Sequence, residues 1–325
     1  MITKETQDAI RASKIPVGIS ACLLGEPVRY DGGHKAHSYI MDTLGQYFEF
    51  RGFCPELDIG LGVPRKTIRL VGTSMADVRC QEGDGASQDH TEALRDSARR
   101  QFHWQQQMCG YIVKKDSPSC GMERVRLWQG DMPQRTGVGL YTQAMMEKFP
   151  YLPVEEEGRL GDPVLRENFV QRVFVLNRWF RLLAAGLTVA GLINFHSRHK
   201  LIVMSHSQQA SRELGQFVAA TGKNNLAQRS EQYMLQLMSV LKIKASRGNH
   251  VNVLQHVQGY LKNQLDAEDK QELVETIERY RQDQLPLIVP ITLLNHHFRR
   301  HPDQYIAESW YMHPYPSELK LHNEI

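Results

Sequence analysis

Apolar residues fall in short β-branched runs through the first half of the chain and at helical spacing through the second. The run at 15–21 (IPVGISA) predicts a strand, and 48–53 (FEFRGF) alternates as a half-buried strand does. Segments 67–71 (TIRLV) and 75–80 (MADVRC) predict a strand pair around Gly72, and 111–115 (YIVKK) a further strand. Between them, 37–47 reads as helical. Segment 91–108 places Leu94, Ala98, Phe102 and Gln105 on one stripe, and Gly110 is a natural stop. Segment 142–149 predicts a closing helix. Strands separated by helices argue for an α/β domain with a mainly parallel sheet.

At 150–163 (PYLPVEEEGRLGDP) the pattern changes. Prolines, glycines and three consecutive glutamates suit a linker. Beyond it the chain reads as helix. Asp162-Pro163 is an N-cap followed by proline at the first helical position. Phe169, Val173, Phe174, Leu176, Phe180 and Leu183 form an apolar face, closed by Gly186, and Thr188 starts the next helix. Further helices are predicted over 224–241, 249–265 and 267–282, the last capped by Asp266. Pro286 and Pro290 are expected to break up the next segment of chain. The reading is therefore an α/β domain over 1–155 and an all-α domain over 160–325.

Composition narrows the class. With 325 residues, 41% hydrophobic and 23% charged, the chain is long enough for two domains with real cores. The longest nearly apolar run, 182–193, is too short to span a bilayer, which needs about 20 residues. Residues 1–14 lack the apolar core of a secretory signal. Five cysteines, an odd number, argue against a disulfide framework and for a cytoplasmic protein. Up to Glu157 there are 19 Lys and Arg against 21 Asp and Glu, a net charge of −2; the remainder has 20 against 15, a net charge of +5, and 10 of the 14 histidines. That balance is compatible with a phosphorylated or nucleic-acid partner, but it is weaker than a dedicated nucleic-acid footprint.

Three cysteines share a context. Cys22 and Cys54 directly follow predicted strands, and Cys120 lies just past one in the turn DSPSCG. The C-terminal ends of parallel strands form one rim, where α/β proteins bind ligands. No CxxC pair supports zinc. An iron–sulfur cube usually takes four cysteines; held by three, it keeps one iron open to act as a Lewis acid. Spacing alone favours ordinary burial of the three thiols. Cys80 and Cys109 lack this context and read as structural. Around the three lie Glu56 as a candidate base, Ser117 and Ser119 as hydroxyl donors, Arg29, Arg65, Lys114 and Lys115 as anion contacts, and Asp31 in the first loop. Singly each is ordinary. Their concentration is the signal.

The segments GISACLLGEPVRYDGGHK, FCPELDIGLGVPRKT and KKDSPSCG resemble, in order, the thiouracil desulfurase family, domain of unknown function 523. GRLGDPVLRENF, FHSRHKLIVMSHS, HVNVLQHVQGYLK, PLIVPITLLNHH and YMHPYPSEL resemble the YbgA-type domain, domain of unknown function 1722. The resemblance implies a 4Fe-4S cluster bound by Cys22, Cys54 and Cys120, with Glu56 and Ser117 catalytic. It implies removal of sulfur from thiouracil or 4-thiouridine 5′-monophosphate, a small thiolated pyrimidine base or nucleotide, by non-redox hydrolysis. Arg29, Asp31, Arg65, Lys115 and Ser119 are the expected substrate contacts.

In the second half, His196 and His199 stand at i and i+3, with His206 beyond; HExxH is absent, so helix packing or an anion-facing role is expected before a metal. Asn249, His250, Asn252 and His256 are expected on one face. The stripe Tyr233, Leu235, Leu237, Met238 and Leu241 reads as core. The competing class is a non-catalytic iron–sulfur protein whose helical domain binds nucleic acid, which predicts salt-sensitive binding and no sulfide release. A sulfur-inserting enzyme would need a phosphate-binding loop of the GxxxxGK[ST] kind, and none is present.

Overall fold

The computed structural model describes residues 14–83 and 88–323, so the reading of residues 1–13 lies outside the described residues. The chain divides into two units, one within Arg11–Gly161 and one running from Asp162. The first is built on the strand β1 (Ile15–Ser20), flanked by β2 (Phe48–Phe53) and β5 (Gly110–Val113), with β8 (Val154–Glu156) outside β5. All three pairings are parallel. Five of six β1 residues and all of β5 are buried, which is why both read as apolar runs rather than alternating ones. Gly18 pairs with Tyr111 across the ladder, and a Cβ at Gly18 would come within 2.3 Å of that ring. The missing side chain makes room for the neighbouring aromatic.

A second sheet, which the sequence reading did not anticipate, has the order β4-β3-β6-β7. It comprises β3 (Ile68–Val71), β4 (Arg79–Glu82), β6 (Val125–Gln129) and β7 (Met132–Gly137). The expected pair around Gly72 forms as antiparallel β3 and β4. Met75 and Ala76 lie in the turn between them, where the Asp77 carboxylate accepts from the Thr73 and Ser74 amides at 2.9 and 2.7 Å. The β6–β7 hairpin was missed because β7 (MPQRTG) has five exposed residues and no apolar alternation.

Helices α1 (Pro55–Asp58), α2 (Thr91–Gln105) and α3 (Leu140–Lys148) complete the unit. The helix expected at 37–47 is instead a π turn over Tyr39–Thr43 followed by a 3-10 turn over Leu44–Gln46. Cys80 packs in an apolar cluster with Leu70, Val78, Leu94, Val125, Leu127 and Leu140. Cys109 is buried at the foot of β5, its amide donating to the Pro16 carbonyl at 2.8 Å.

The segment read as a linker is not one. Residues 154–156 form β8, and Glu155, Glu156 and Glu157 are all buried. Each carboxylate has a partner: Arg159 for Glu155, the Met122 amide for Glu156, and Lys114 with the Lys115 amide for Glu157. A run of three acids marks a solvated stretch only when it lacks such partners, and here Glu156 and Glu157 find theirs in distant segments while Arg159 lies one helical turn's spacing from Glu155.

The second unit is helical throughout its described residues: α4 (Pro163–Ala184), α5 (Val189–His206), α6 (Gln208–Ala219), α7 (Leu226–Leu241), α8 (Arg247–Gly259), α9 (Ala267–Arg281), α10 (Ile288–Arg300) and α11 (Gln304–Glu308). The Asp162 carboxylate caps α4 through the Val164 and Leu165 amides, Thr188 caps α5, and Asp266 caps α9. Pro290 does not break the chain. It sits in the first turn of α10, where its missing N–H would have had no intrahelical acceptor. Among the described residues, no helix is long and apolar enough to cross a membrane.

Candidate functional site

Parallel pairing in register brings the ends of β1 and β2 side by side, with Ser20 opposite Phe53. The chain turns immediately after each. Cys22 sits in the 3-10 turn Ala21–Leu24 that follows β1, and Cys54 is the N-cap of α1. Cys120 follows β5 through the loop 114–119. All three thiols line one cavity of about 330 Å³, together with Ser20, Glu56, Arg65, Lys114, Ser117 and Ser119. The outer wall carries Arg29, Tyr30, Lys35 and Lys115. Asp31 does not reach this lining. It accepts from the Gly33 amide at 3.0 Å, and that bond holds its carboxyl below the usual range, with Arg29 at 3.5 Å assisting.

The turn bearing Cys120 is held from behind by the N-terminus of α3. Leu140 N–H donates to the Pro118 carbonyl at 3.1 Å and Tyr141 N–H to that of Ser119 at 3.1 Å; Thr142 Oγ1 donates to the Cys120 carbonyl at 2.7 Å. Helix donors that lack intrahelical partners thus become anchors. The approach is so close that a Cβ on Gly139 would stand 2.6 Å from the Ser119 carbonyl carbon and 2.7 Å from the Cys120 nitrogen.

Glu56 stands in the first turn of α1, two residues past Cys54. Arg65 clamps one carboxylate oxygen, with Nε at 2.9 Å and Nη2 at 2.7 Å from Oε2. Arg65 also donates to the Val28 and Gly62 carbonyls. Its guanidinium is therefore a structural partner of Glu56 rather than an unoccupied anion contact. The other oxygen, Oε1, accepts from Ser119 Oγ at 2.7 Å. Ser119 Oγ is 2.9 Å from Ser117 Oγ, which in turn accepts from the Cys120 amide at 3.1 Å. The carboxylate and the amide at the two ends set the direction of this chain. Each hydroxyl proton points toward Glu56.

Burial is the main cause of an upward shift at all three thiols. Cys22 is pushed up to about 11 by burial and then by neighbouring Cys54, against the opposing pull of Lys114. Burial also raises Cys54, and it raises Cys120, where Cys54 adds to the effect. Sulfurs that sense one another in a half-enclosed cavity form a soft donor set. Among the described residues, no three His, Cys, Asp or Glu side chains converge on a point suited to one metal ion. Three cysteine sulfurs lining one cavity are the kind of donor that iron–sulfur clusters take.

Sequence reasoning missed Glu157. Just past β8 it binds Lys114 Nζ and accepts from the Lys115 amide at 2.7 Å, fixing the start of the loop to Cys120. Its only signal was burial, which a run of acids conceals. The Lys115 side chain lies along Gly158.

The model for 2-thiouracil desulfurase matches residues 17–157, and that for the protein of unknown function DUF1722 matches residues 200–316. The chain joins a 2-thiouracil desulfurase domain to a DUF1722 domain. It is 35% identical over 151 residues to the uncharacterized protein YbgA of Escherichia coli (strain K12), covering 46% of this chain and 89% of YbgA. It is 27% identical over 143 residues to the uncharacterized protein YbbK of Bacillus subtilis (strain 168), covering 42% of this chain and 93% of YbbK. A solved structure, the [4Fe-4S]-dependent thiouracil desulfidase TudS, is 30% identical, with 46% of this chain and 95% of that chain covered and a TM-score of 0.37. The cavity lies wholly within the desulfurase domain.

The helical unit buries His196, His199, His206 and His250, whereas His256 is exposed. His196 Nδ1 is 3.1 Å from Tyr233 OH, His206 Nε2 is 2.7 Å from Gln171 Oε1, and His250 Nδ1 is 2.8 Å from Tyr311 OH. Burial pushes His196 and His206 down to about 4 and His250 to about 3. They are neutral packing residues. Asn249 donates to the His206 carbonyl at 3.1 Å.

Proposed function

We propose that the desulfurase-domain cavity removes sulfur from thiolated uracil compounds, 2- or 4-thiouracil and 4-thiouridine 5′-monophosphate, giving uracil or uridine products and sulfide by non-redox hydrolysis in the cytoplasm. The observation that carries the reading is the meeting, in one cavity, of three thiols with the hydroxyl chain that ends on Glu56. Cys22, Cys54 and Cys120 would hold a 4Fe-4S cluster. When bound at only three corners, such a cluster supplies an open, thiophilic Lewis-acid position.

The chain's own residues account for the proton movements. Glu56, held by Arg65 on one oxygen, presents Oε1 as the acceptor for a proton from water that attacks the ring carbon. Ser119 relays between Glu56 and Ser117, and Ser117, at the head of the turn, positions the substrate and takes a proton from its side as it passes its own to Ser119. Arg29, Lys35 and Lys115 on the outer wall suit the phosphate of a nucleotide substrate.

The test is an iron and acid-labile sulfide count on anaerobically prepared protein, then assay of sulfide release from thiouracil and 4-thiouridine monophosphate. About four of each per chain, lost in Cys22→Ser, is the expected result, with Glu56→Ala retaining the cluster and losing turnover. Reconstituted protein without iron, or an active Glu56→Ala variant, overturns the corresponding part of the reading.

A further inference from the structure

Lys114 is a cation that the proton path does not use, and it sits where three parallel strands end. It directly follows β5, Ser20 closes β1, and Glu157 lies just past β8. Its backbone amide donates to Ser20 Oγ at 3.0 Å, and its ammonium binds Glu157 Oε1. The other carboxylate oxygen of Glu157 accepts from the Lys115 amide at 2.7 Å, so Lys114 is fixed at both ends. Nζ also donates to the Lys115 carbonyl at 3.2 Å. An ammonium has three N–H donors. Among the described residues, the third has no acceptor.

The ion pair is oriented. Lys114 lines the thiol cavity and Glu157 does not. Cys22 accordingly senses the lysine more strongly than the glutamate behind it. A further ion pair of the lining, Arg65 with Glu56, has both partners in the wall and balances its own charge. Lys35 and Lys115 are exposed at the mouth, whereas the Lys114 side chain keeps only 16% of its surface. Lys114 is therefore the inner ammonium of the cavity, and the cavity beside it has room for a small anion.

Two sources of negative charge meet there. Cysteine binds iron as thiolate, so three ligand cysteines load one cavity with negative charge. The proposed desulfuration adds another anion. Water's oxygen bonds to the ring carbon, and the carbon–sulfur electron pair leaves with sulfur. One water proton goes with it as hydrosulfide, and the other passes to solvent through Glu56. An anion formed beside three thiolates is repelled unless a cation stands in the wall. Resting on the desulfidase reading, we propose that Lys114, held in place by Glu157, is the hydrosulfide-binding residue of the cavity. Its third N–H holds the departing sulfur, and its charge offsets the thiolates. The cations at the mouth serve an entering phosphate; Lys114 serves the leaving sulfur.

The test is titration of the iron-loaded full chain with sodium sulfide, followed by its visible absorption, with iron counted in every protein. Lys114→Met should raise the half-saturating sulfide concentration about tenfold, the scale of one lost bond to a charged group. Lys114→Arg should restore most of it. Glu157→Gln keeps the ammonium and removes its counter-charge, so sulfide should bind more tightly than in the wild type. The midpoint potential should move the same two ways, down in Lys114→Met and up in Glu157→Gln, because net charge beside a cluster sets its potential. A damaged fold would move both variants in one direction. If Lys114→Met does not retain iron, Glu157→Gln carries the test. Sulfide binding and potential unchanged in the iron-loaded variants, or displaced in the same direction in both, overturn the role of Lys114 and leave the desulfidase reading standing. Wild-type protein that takes no iron overturns both.

Discussion

Ser119 Oγ donates to Glu56 Oε1 across 2.7 Å, joining two residues 63 positions apart in the chain. The same hydroxyl is 2.9 Å from Ser117 Oγ, so a carboxylate and two hydroxyls share one hydrogen-bonded line beside the Cys120 amide. Ser119 has no exposed surface, whereas Ser117 is partly exposed in the cavity lining. The buried serine is thus the link, and the outer one faces what enters.

Replacing Ser119 with Ala breaks that link and leaves all three cysteines in the chain, although it also removes a hydroxyl 3.5 Å from the Cys120 sulfur. Turnover should fall by about 10²-fold, the scale of a lost acid–base connection, while the iron content stays at the wild-type value. Sulfide release per iron is the measurement. Wild-type turnover in the variant would remove Ser119 from the proton path.

Arg65 holds Glu56 through two nitrogens, and both side chains are largely shielded, with 6% and 14% of their surface exposed. Arg65→Met leaves the carboxylate without its cation and should cost about 3–5 kcal/mol of stability. Arg65→Lys keeps the charge but not the fork, so it should recover only part of the loss. Urea denaturation of the three proteins ranks them. Equal midpoints for Lys and Met would show that the fork geometry, and not the charge, does the holding.

Gly139→Ala tests the anchoring of the cysteine turn. The new methyl would meet backbone atoms of Ser119, Cys120 and Gly121 at 2.6–2.7 Å, and backbone cannot swing away as a side chain does. The Cys120 turn should shift, and reconstituted iron should drop well below the wild-type level. Full iron loading with normal stability would mean that the turn tolerates displacement.

The helical domain should be acid-sensitive. Burial holds His196, His206 and His322 at about 4 and His250 at about 3, all below the ordinary 6.5. Depressed folded-state values give stability that is present above about pH 6.5 and lost as pH falls toward 4. Glu167 acts in the opposite sense. Burial raises it to about 7 from 4.5, so its contribution is present at low pH and declines as pH rises from about 4.5 to 7. Four histidines outweigh one acid, so Tm should fall on acidification below about pH 6.5. Glu167→Gln should raise Tm at about pH 8 and change it little at about pH 4.5. Thermal melts at both values decide it, and a stabilisation larger at the lower pH would contradict the assignment.

The three cysteines were legible from sequence because each stands near the end of a recognisable strand, and the parallel order β2-β1-β5 then places those ends on one rim. Glu56 was legible from its position two residues after Cys54. The caps at Asp162, Thr188 and Asp266 were readable one by one, since capping is a local bond between a side chain and the next turn.

Other features depended on partners that the apolar pattern does not reveal. The three glutamates at 155–157 look solvated until Arg159, the Met122 amide and Lys114 are brought to them. Arg65 looks like an anion contact until Glu56 occupies it, and Asp31 looks like a site residue until its own turn claims it. β7 carries no apolar period, so only its pairing with β6 makes it a strand. Local periodicity and capping are written in neighbouring residues and determined the elements and the thiol-bearing rim. Which polar groups compensate one another is set by side-chain contacts that periodicity does not encode, some of them tens of residues apart, and only the tertiary structure decided it.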